Sequence, residues 1–127
     1  MNEIILNRAK CNKYGDIITS YHGHDYVSCK CGLITVDGGT NYLKRTGELS
    51  DAIEMSIDSS SPFEVIRENY HRGGRGKNGD EPLKWVPMSE MSDEWLLACI
   101  EYNDDRGKGK SFANKMYKKE IKFRKKK

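Results

Sequence analysis

The front half of the chain is written in short runs that alternate apolar and polar side chains, and the back end in helical spacing. An apolar run within Glu3 to Arg8 predicts a first strand. Cys11-Asn12-Lys13-Tyr14-Gly15 is a tight turn, followed at Asp16 to Tyr21 by the β-branched Ile17, Ile18 and Thr19. Asp25 to Cys29 sets Tyr26 and Ser28 opposite Val27, Cys31-Gly32 makes a second turn, and Leu33 to Val36 resumes the strand pattern. Asp37-Gly38-Gly39 breaks the chain, because paired glycines admit positive φ. Thr40 to Thr46 continues as strand, Leu49 to Ile57 fits neither period, and Ser59-Ser60-Ser61-Pro62 reads as a linker.

Beyond it, Phe63 to Tyr70 reads as a strand, with a helix as second choice. His71 to Pro82 holds no large apolar side chain and reads as the mobile tip of a hairpin. Leu83 to Val86 is its returning strand, stopped by Pro87. Ser92 caps a helix whose stripe is Trp95, Leu96, Cys99 and Ile100, all expected in the core. Arg106-Gly107 ends it. Ser111 caps a second helix with Phe112, Met116, Tyr117 and Ile121 inward and its lysines outward. The expectation is an α+β fold: a small antiparallel ribbon-like sheet, a β-hairpin, and a C-terminal antiparallel helix pair. Residues 1–58 would form a zinc-ribbon-like β module. Residues 62–127 would form the hairpin, the helices and a basic tail.

Composition narrows the picture. Only 36% of the 127 residues are apolar and 32% are charged, so the core is small and a metal, a partner or a second copy would help hold it. No run is apolar enough to span a membrane, and the N-terminus lacks a signal-peptide core. A cytoplasmic protein is expected, with its cysteines as metal ligands or buried thiols rather than disulfides. The net charge of +3 hides an asymmetry: Arg106 to Lys127 holds eleven Lys and Arg against Glu120 alone, and the rest of the chain is acidic. Such a tail suits a polyanion, or is simply a solvated helix face.

Cys11, Cys29 and Cys31 fall in turns between strands, where a zinc ribbon places its ligands. Tyr14 stands where a fourth cysteine would complete the set, and tyrosine is a poor zinc ligand. His22, His24 and Cys99 are the other candidates, and His24 is preferred because its segment leads directly into Cys29. The alternative is a metal-free knuckle with the thiols packed as small apolar groups. An iron site from His22, His24 and Asp25 is disfavoured, because neighbouring strand residues face opposite ways.

His24-Asp25-Tyr26-Val27-Ser28-Cys29-Lys30-Cys31-Gly32, with the stretch Val36 to Arg45, resembles a small, largely uncharacterised domain of bacteriophages and prophages of Gram-positive hosts. The likeness covers roughly residues 7 to 58. Those proteins usually open with a C-x-x-C-G knuckle, from which this chain departs at Tyr14. Pro82 to Leu96 also resembles segments of small phage proteins. The resemblance implies a phage origin and a role in host takeover or anti-defence, and no biochemical activity.

His71-Arg72-Gly73-Gly74-Arg75-Gly76-Lys77 sets cations among glycines. Glycine lets backbone N–H groups approach an anion, and arginine grips phosphate as a fork. The spacing is not that of a P-loop. Tyr70 and Trp85 flank the loop and are the candidates to stack on a base. The sequence therefore predicts a non-enzymatic binding protein that inhibits a host protein directly or captures a nucleotide signal through Arg72, Arg75, Lys77, Tyr70 and Trp85. A nucleic-acid-binding accessory protein is the first alternative, and a small metal-dependent nuclease the second. The oligomeric state stays open.

Overall fold

The computed structural model describes residues 2–126, which divide into two units, Met1–His71 and Arg72–Lys127. In the first unit the longest strand, β1 (Ile4–Cys11), is the organiser. It pairs antiparallel with β2 (Ile17–Ser20) on one side. On the other side it pairs with β6 (Ala52–Glu54) and β7 (Ile57–Asp58) in succession. A second sheet runs β3 (Val27–Ser28), β4 (Thr35–Asp37), β5 (Lys44–Thr46), with Val36 opposite both Val27 and Arg45. The period-2 rule holds along the end of β1: Asn7, Ala9 and Cys11 face inward, while Arg8 and Lys10 are less buried. Ala9, Cys11 and Ile18 meet Cys29, Ile34 and Val36 in the core. Two of the cysteines are thus part of the packing itself.

Leu49 to Ile57, which fits neither period, resolves into a 3-10 turn (Leu49–Asp51) followed by β6 and β7. Ser59 is not in a free linker. Its N–H bonds to the Glu3 carbonyl and its Oγ accepts from the Glu3 N–H, each at 2.8 Å, which pins it to the start of β1. The strand expected at Phe63 to Tyr70 is helix α1 (Phe63–Asn69). Pro62 precedes its first turn and Ile66 is its buried anchor, so the second choice is the observed state. The division between units falls after His71, not at the serine run.

From the last residue of the first unit into the second, β8 (His71–Gly74) pairs with β9 (Lys84–Pro87) as a two-stranded ribbon. The outgoing strand therefore begins where the sequence suggested a loop. Ser92 and Ser111 cap α2 (Asp93–Asp105) and α3 (Phe112–Lys125), their Oγ atoms accepting from the N–H groups of Trp95 and Asn114. The two helices pack together, closing on the buried Met88, Met91, Leu96, Cys99 and Tyr117. The inward face of α3 keeps Tyr117 as expected but otherwise departs from its expected residues. Asn114, Tyr117 and Glu120 are buried, while Phe112, Met116 and Ile121 are half-buried. The mixed sheets and helices make the fold α+β, and no helix among the described residues is long and apolar enough to cross a membrane.

Candidate functional site

Two clusters of chemistry-bearing side chains stand out, one in each unit. In the first, β1 ends at Cys11 and turns at once. The Gly15 N–H bonds to the Cys11 carbonyl at 2.8 Å, with Gly15 at φ +80°. The second turn repeats the device: the Gly32 N–H bonds to the Cys29 carbonyl at 3.0 Å, and the Ile34 N–H points at Cys29 Sγ at 3.4 Å. These facing knuckles bring three free thiols together. Cys11 and Cys31 Sγ lie 3.6 Å apart, Cys29 and Cys31 Sγ 3.4 Å apart, and all three lie within 4.8 Å of one another. Thiolates on a tetrahedral zinc with bonds near 2.3 Å sit about 3.8 Å apart, so the three thiols are close enough together to hold a metal ion.

The thiols differ electrostatically. The Ile34 backbone N–H, against the opposing effect of burial and with help from the neighbouring thiols, lowers Cys29 to about 7. At Cys31, which is exposed, the Leu33 backbone N–H pulls downward, but partial desolvation of the sulfur and its interactions with Cys29 and Cys11 outweigh it and push the thiol up. One sulfur is thus held near its thiolate form at neutral pH and shares its charge with its neighbours.

His24 is not brought to this cluster. It sits at φ +65° in the turn before β3, where Tyr42 Oη approaches its Nδ1 at 3.5 Å. The reason is local. Ser20 Oγ donates to the Asp25 carbonyl (2.6 Å) and accepts from the Gly39 N–H (2.9 Å), while Asp25 Oδ2 accepts from the Tyr21 N–H (2.8 Å). A side chain at Gly39 would strike the backbone of His22. The His-Asp and Asp-Gly-Gly motifs are therefore two turns locked onto each other. Asp16 is the residue the sequence reading passed over. Its Oδ2 accepts from the Lys30 N–H at 2.9 Å, whereas its Oδ1 is buried with no hydrogen-bond partner among the described residues. Asp16 and Cys31 line the same open depression with Tyr14, Gly15 and Lys30.

The second cluster is a cavity of about 620 Å³ in the C-terminal unit, lined by Arg72, Arg75, Lys77 and Lys84 with Glu81, Glu94 and Trp95 among others. Three of the five residues expected at a ligand, Arg72, Arg75 and Lys77, are on its wall; Tyr70 and Trp85 are not. Tyr70 is the cap residue of α1, in the other unit. Trp85 packs across Gly73, where an added Cβ would stand 3.2 Å from its ring. Trp95 lies over Gly74 in the same manner, at 2.8 Å. Successive strand residues face opposite ways, so the two indoles cover opposite faces of β8. The cavity lies on the Trp95 face. The helical stripe placed Trp95 in the core, but the ring is half-buried and on the cavity wall, where Gly74 leaves room for it.

Arg72 is anchored from below: its Nη1 donates to Tyr117 Oη at 3.1 Å. Burial raises the thiol of Cys99 and the phenol of Tyr117 in spite of that nearby charge. Arg75 makes a long bond, 3.5 Å, to the Glu81 carbonyl, and its own carbonyl accepts from the Glu81 N–H at 2.9 Å.

Residues 3–47 match the model of a family described as a domain of unknown function (DUF7695). The match ends just after β5 and so takes in both knuckles and both locked turns, but neither α1 nor any of the C-terminal unit. No curated protein and no solved structure matches the chain significantly.

Proposed function

We propose that this is a non-enzymatic binding protein whose C-terminal unit captures a phosphorylated ligand, while zinc fixes the knuckles of the N-terminal unit. The observation that carries the reading is the cavity wall. Four cations face two carboxylates beside a glycine-bearing strand, in a chain whose residues before Arg106 are acidic overall. A local positive site in a negative body selects an anion by field and by hydrogen bonds together. On a phage-type protein this chemistry serves host takeover or anti-defence: it withdraws a nucleotide signal, or masks a host component. Calorimetric titration with inorganic pyrophosphate tests it. Binding that is lost in the double variant Arg75→Ala, Lys77→Ala supports the reading. No heat with pyrophosphate or any nucleotide, from a folded protein, removes it.

Zinc is the metal the thiol geometry suits, as a structural ion. We assign its fourth position to Asp16, whose Oδ1 is buried without a partner among the described residues and which lines one depression with Cys31, although its carboxylate, like the His24 ring, stands outside the group of three thiols and has to swing in to reach a metal. His24, the position favoured by sequence order, lies in the turn before β3 beside Tyr42, outside the group of three thiols.

A second reading, nucleic-acid binding, is favoured by the exposed Lys115, Lys118, Lys119, Lys122 and Lys125 along α3. It requires affinity for DNA or RNA that falls steeply with salt. Salt-insensitive or absent binding to both discards it.

A further inference from the structure

We infer that the cavity of the C-terminal unit is a nucleotide site in which Trp95 stacks the base and Arg75, Lys77 and Lys84 hold the phosphates. This inference rests on the phosphorylated-ligand reading above and names its ligand class.

The argument begins with size. A volume of about 620 Å³ falls within the range of small-ligand sites, roughly 300–1,000 Å³, and exceeds what a lone phosphate fills. Next comes the division of the wall. A phosphate alone needs cations and N–H groups, and an aromatic ring contributes nothing to it. Trp95 is nevertheless placed on this wall, and Gly74 has no side chain that would push it away. A Cβ at position 74 would stand 2.8 Å from the indole, so the approach of ring to strand exists only because glycine is there. An indole presenting part of its surface to a cavity is a platform for a flat base, worth about tenfold or more in affinity.

The carboxylates complete the assignment. Glu81 and Glu94 on the same wall are unfavourable beside an extended polyanion, yet they accept hydrogen bonds from ribose hydroxyls or an exocyclic amine. Donors of that kind belong to a nucleoside and are absent from pyrophosphate. The acids therefore select a discrete nucleotide over a continuous strand. Arg72, also on the wall, is bonded to Tyr117 Oη and adds a fixed positive charge. The second tryptophan, Trp85, is on the opposite face of β8 and takes no part.

The experiment compares ADP, GDP, CDP, UDP, pyrophosphate and a 5′-phosphorylated single-stranded 12-mer by calorimetry on the full chain. The expected result is that at least one nucleoside diphosphate binds tenfold or more tighter than pyrophosphate. Trp95→Leu should abolish that advantage while leaving pyrophosphate binding unchanged, and Trp95→Phe should restore most of it. Trp85→Phe should change neither. Circular dichroism and melting curves check that each variant is folded. Where Trp95→Leu does not fold, the comparison of Trp95→Phe with wild type decides, since a smaller ring must weaken the nucleotide and not the pyrophosphate. Equal affinity for pyrophosphate and all four nucleotides overturns the inference but leaves the phosphate reading intact. Binding to nothing overturns both. Tighter binding of the 12-mer than of any mononucleotide overturns the inference in favour of nucleic-acid binding.

Discussion

Arg45 Nη1 donates to Asn7 Oδ1 at 2.7 Å, and through this bond one side chain of β5 holds the inward face of β1. Asn7 is fully buried, and its Nδ2 donates to the carbonyls of Asp37, Gly39 and Tyr42 at 3.0–3.1 Å. Arg45 also grips Glu54 with two nitrogens, at 2.6 and 3.0 Å, and reaches Ser56 at 2.9 Å. The Asp-Gly-Gly turn is thereby tied to β1 on one side, and β6 on the other. Arg45→Ala leaves Asn7 Oδ1 buried without this donor and is expected to cost about 2 kcal/mol. Arg45→Lys should recover little, because an ammonium cannot make the fork. Asn7→Asp should be worse than either, since it aims a carboxylate at three carbonyl oxygens. Urea midpoints of the four proteins check the order. Lysine performing as well as arginine would show the fork to be irrelevant.

The Arg45–Glu54 pair carries a pH dependence. Burial would raise the carboxyl of Glu54, but hydrogen bonds from Arg45 and Ser56 outweigh it and hold it below its ordinary value. A lowered folded-state pKa contributes stability above the ordinary carboxylate range, and that contribution fades as pH falls through the lowered value. The stability difference between wild type and Glu54→Gln should therefore be constant near neutrality and shrink below about pH 4. Ser60 lowers Asp58 in the same direction, so the difference between the two proteins is the quantity to follow. A difference that instead grows on acidification contradicts the ion-pair account.

Some of this was legible in the chain and some was not, for identifiable reasons. Ser92 and Ser111 announced their helices because a cap is a local hydrogen bond, set by residues three positions apart. The three cysteines announced themselves because turns expose ligand atoms at predictable places. Phe63–Asn69 was misread because Phe63, Val65 and Ile66 satisfy both periods over so short a run; packing of Ile66 decides between them. His24 stays outside the thiol group and Asp16 comes to line the depression beside Cys31, for reasons no spacing shows. The Ser20–Asp25–Gly39 hydrogen bonds turn the His-Asp segment away, and the Gly15 turn carries Asp16 back to Lys30. Trp95 reads as core from its stripe; its half-exposure follows from Gly74, a residue distant in sequence.

The basic tail reads as a row of solvated cations, yet Arg124 is not one of them. Its Nε donates to the fully buried Glu120 at 2.6 Å and its Nη1 to Asp93 at 2.7 Å. Its Nη2 reaches the carbonyls of Met88 and Ser89. Burial works against the guanidinium's charge, but Asp93 and Glu120 more than offset it and raise its pKa. Arg124→Ala removes the cation that balances Glu120 and should cost about 3 kcal/mol. The double variant Glu120→Leu, Arg124→Met should regain most of that, because it removes both charges at once. Melting temperatures of the three proteins decide. A double variant no better than Arg124→Ala would mean that Arg124 acts through Asp93, Met88 and Ser89 rather than through Glu120.

Three thiols at 3.4–3.6 Å hold mutual repulsion as soon as more than one ionises, and a divalent cation relieves it. Zinc loading should therefore raise the melting temperature, and a strong chelator should lower it reversibly under reducing conditions. Elemental analysis should find one zinc per chain, and Cys31→Ser should lose it while retaining the fold, because Cys31 is exposed and the buried packing of Cys11 and Cys29 remains. Asp16→Asn separates the two candidates for the fourth position. An amide keeps an acceptor for the Lys30 N–H but is a much weaker ligand, so zinc affinity should fall while stability without metal holds. His24→Ala should leave affinity unchanged. Cobalt in place of zinc gives a tetrahedral visible spectrum that Asp16→Asn should perturb and His24→Ala should not. The reverse pattern would return the ligand to His24 and require its turn to open when metal binds.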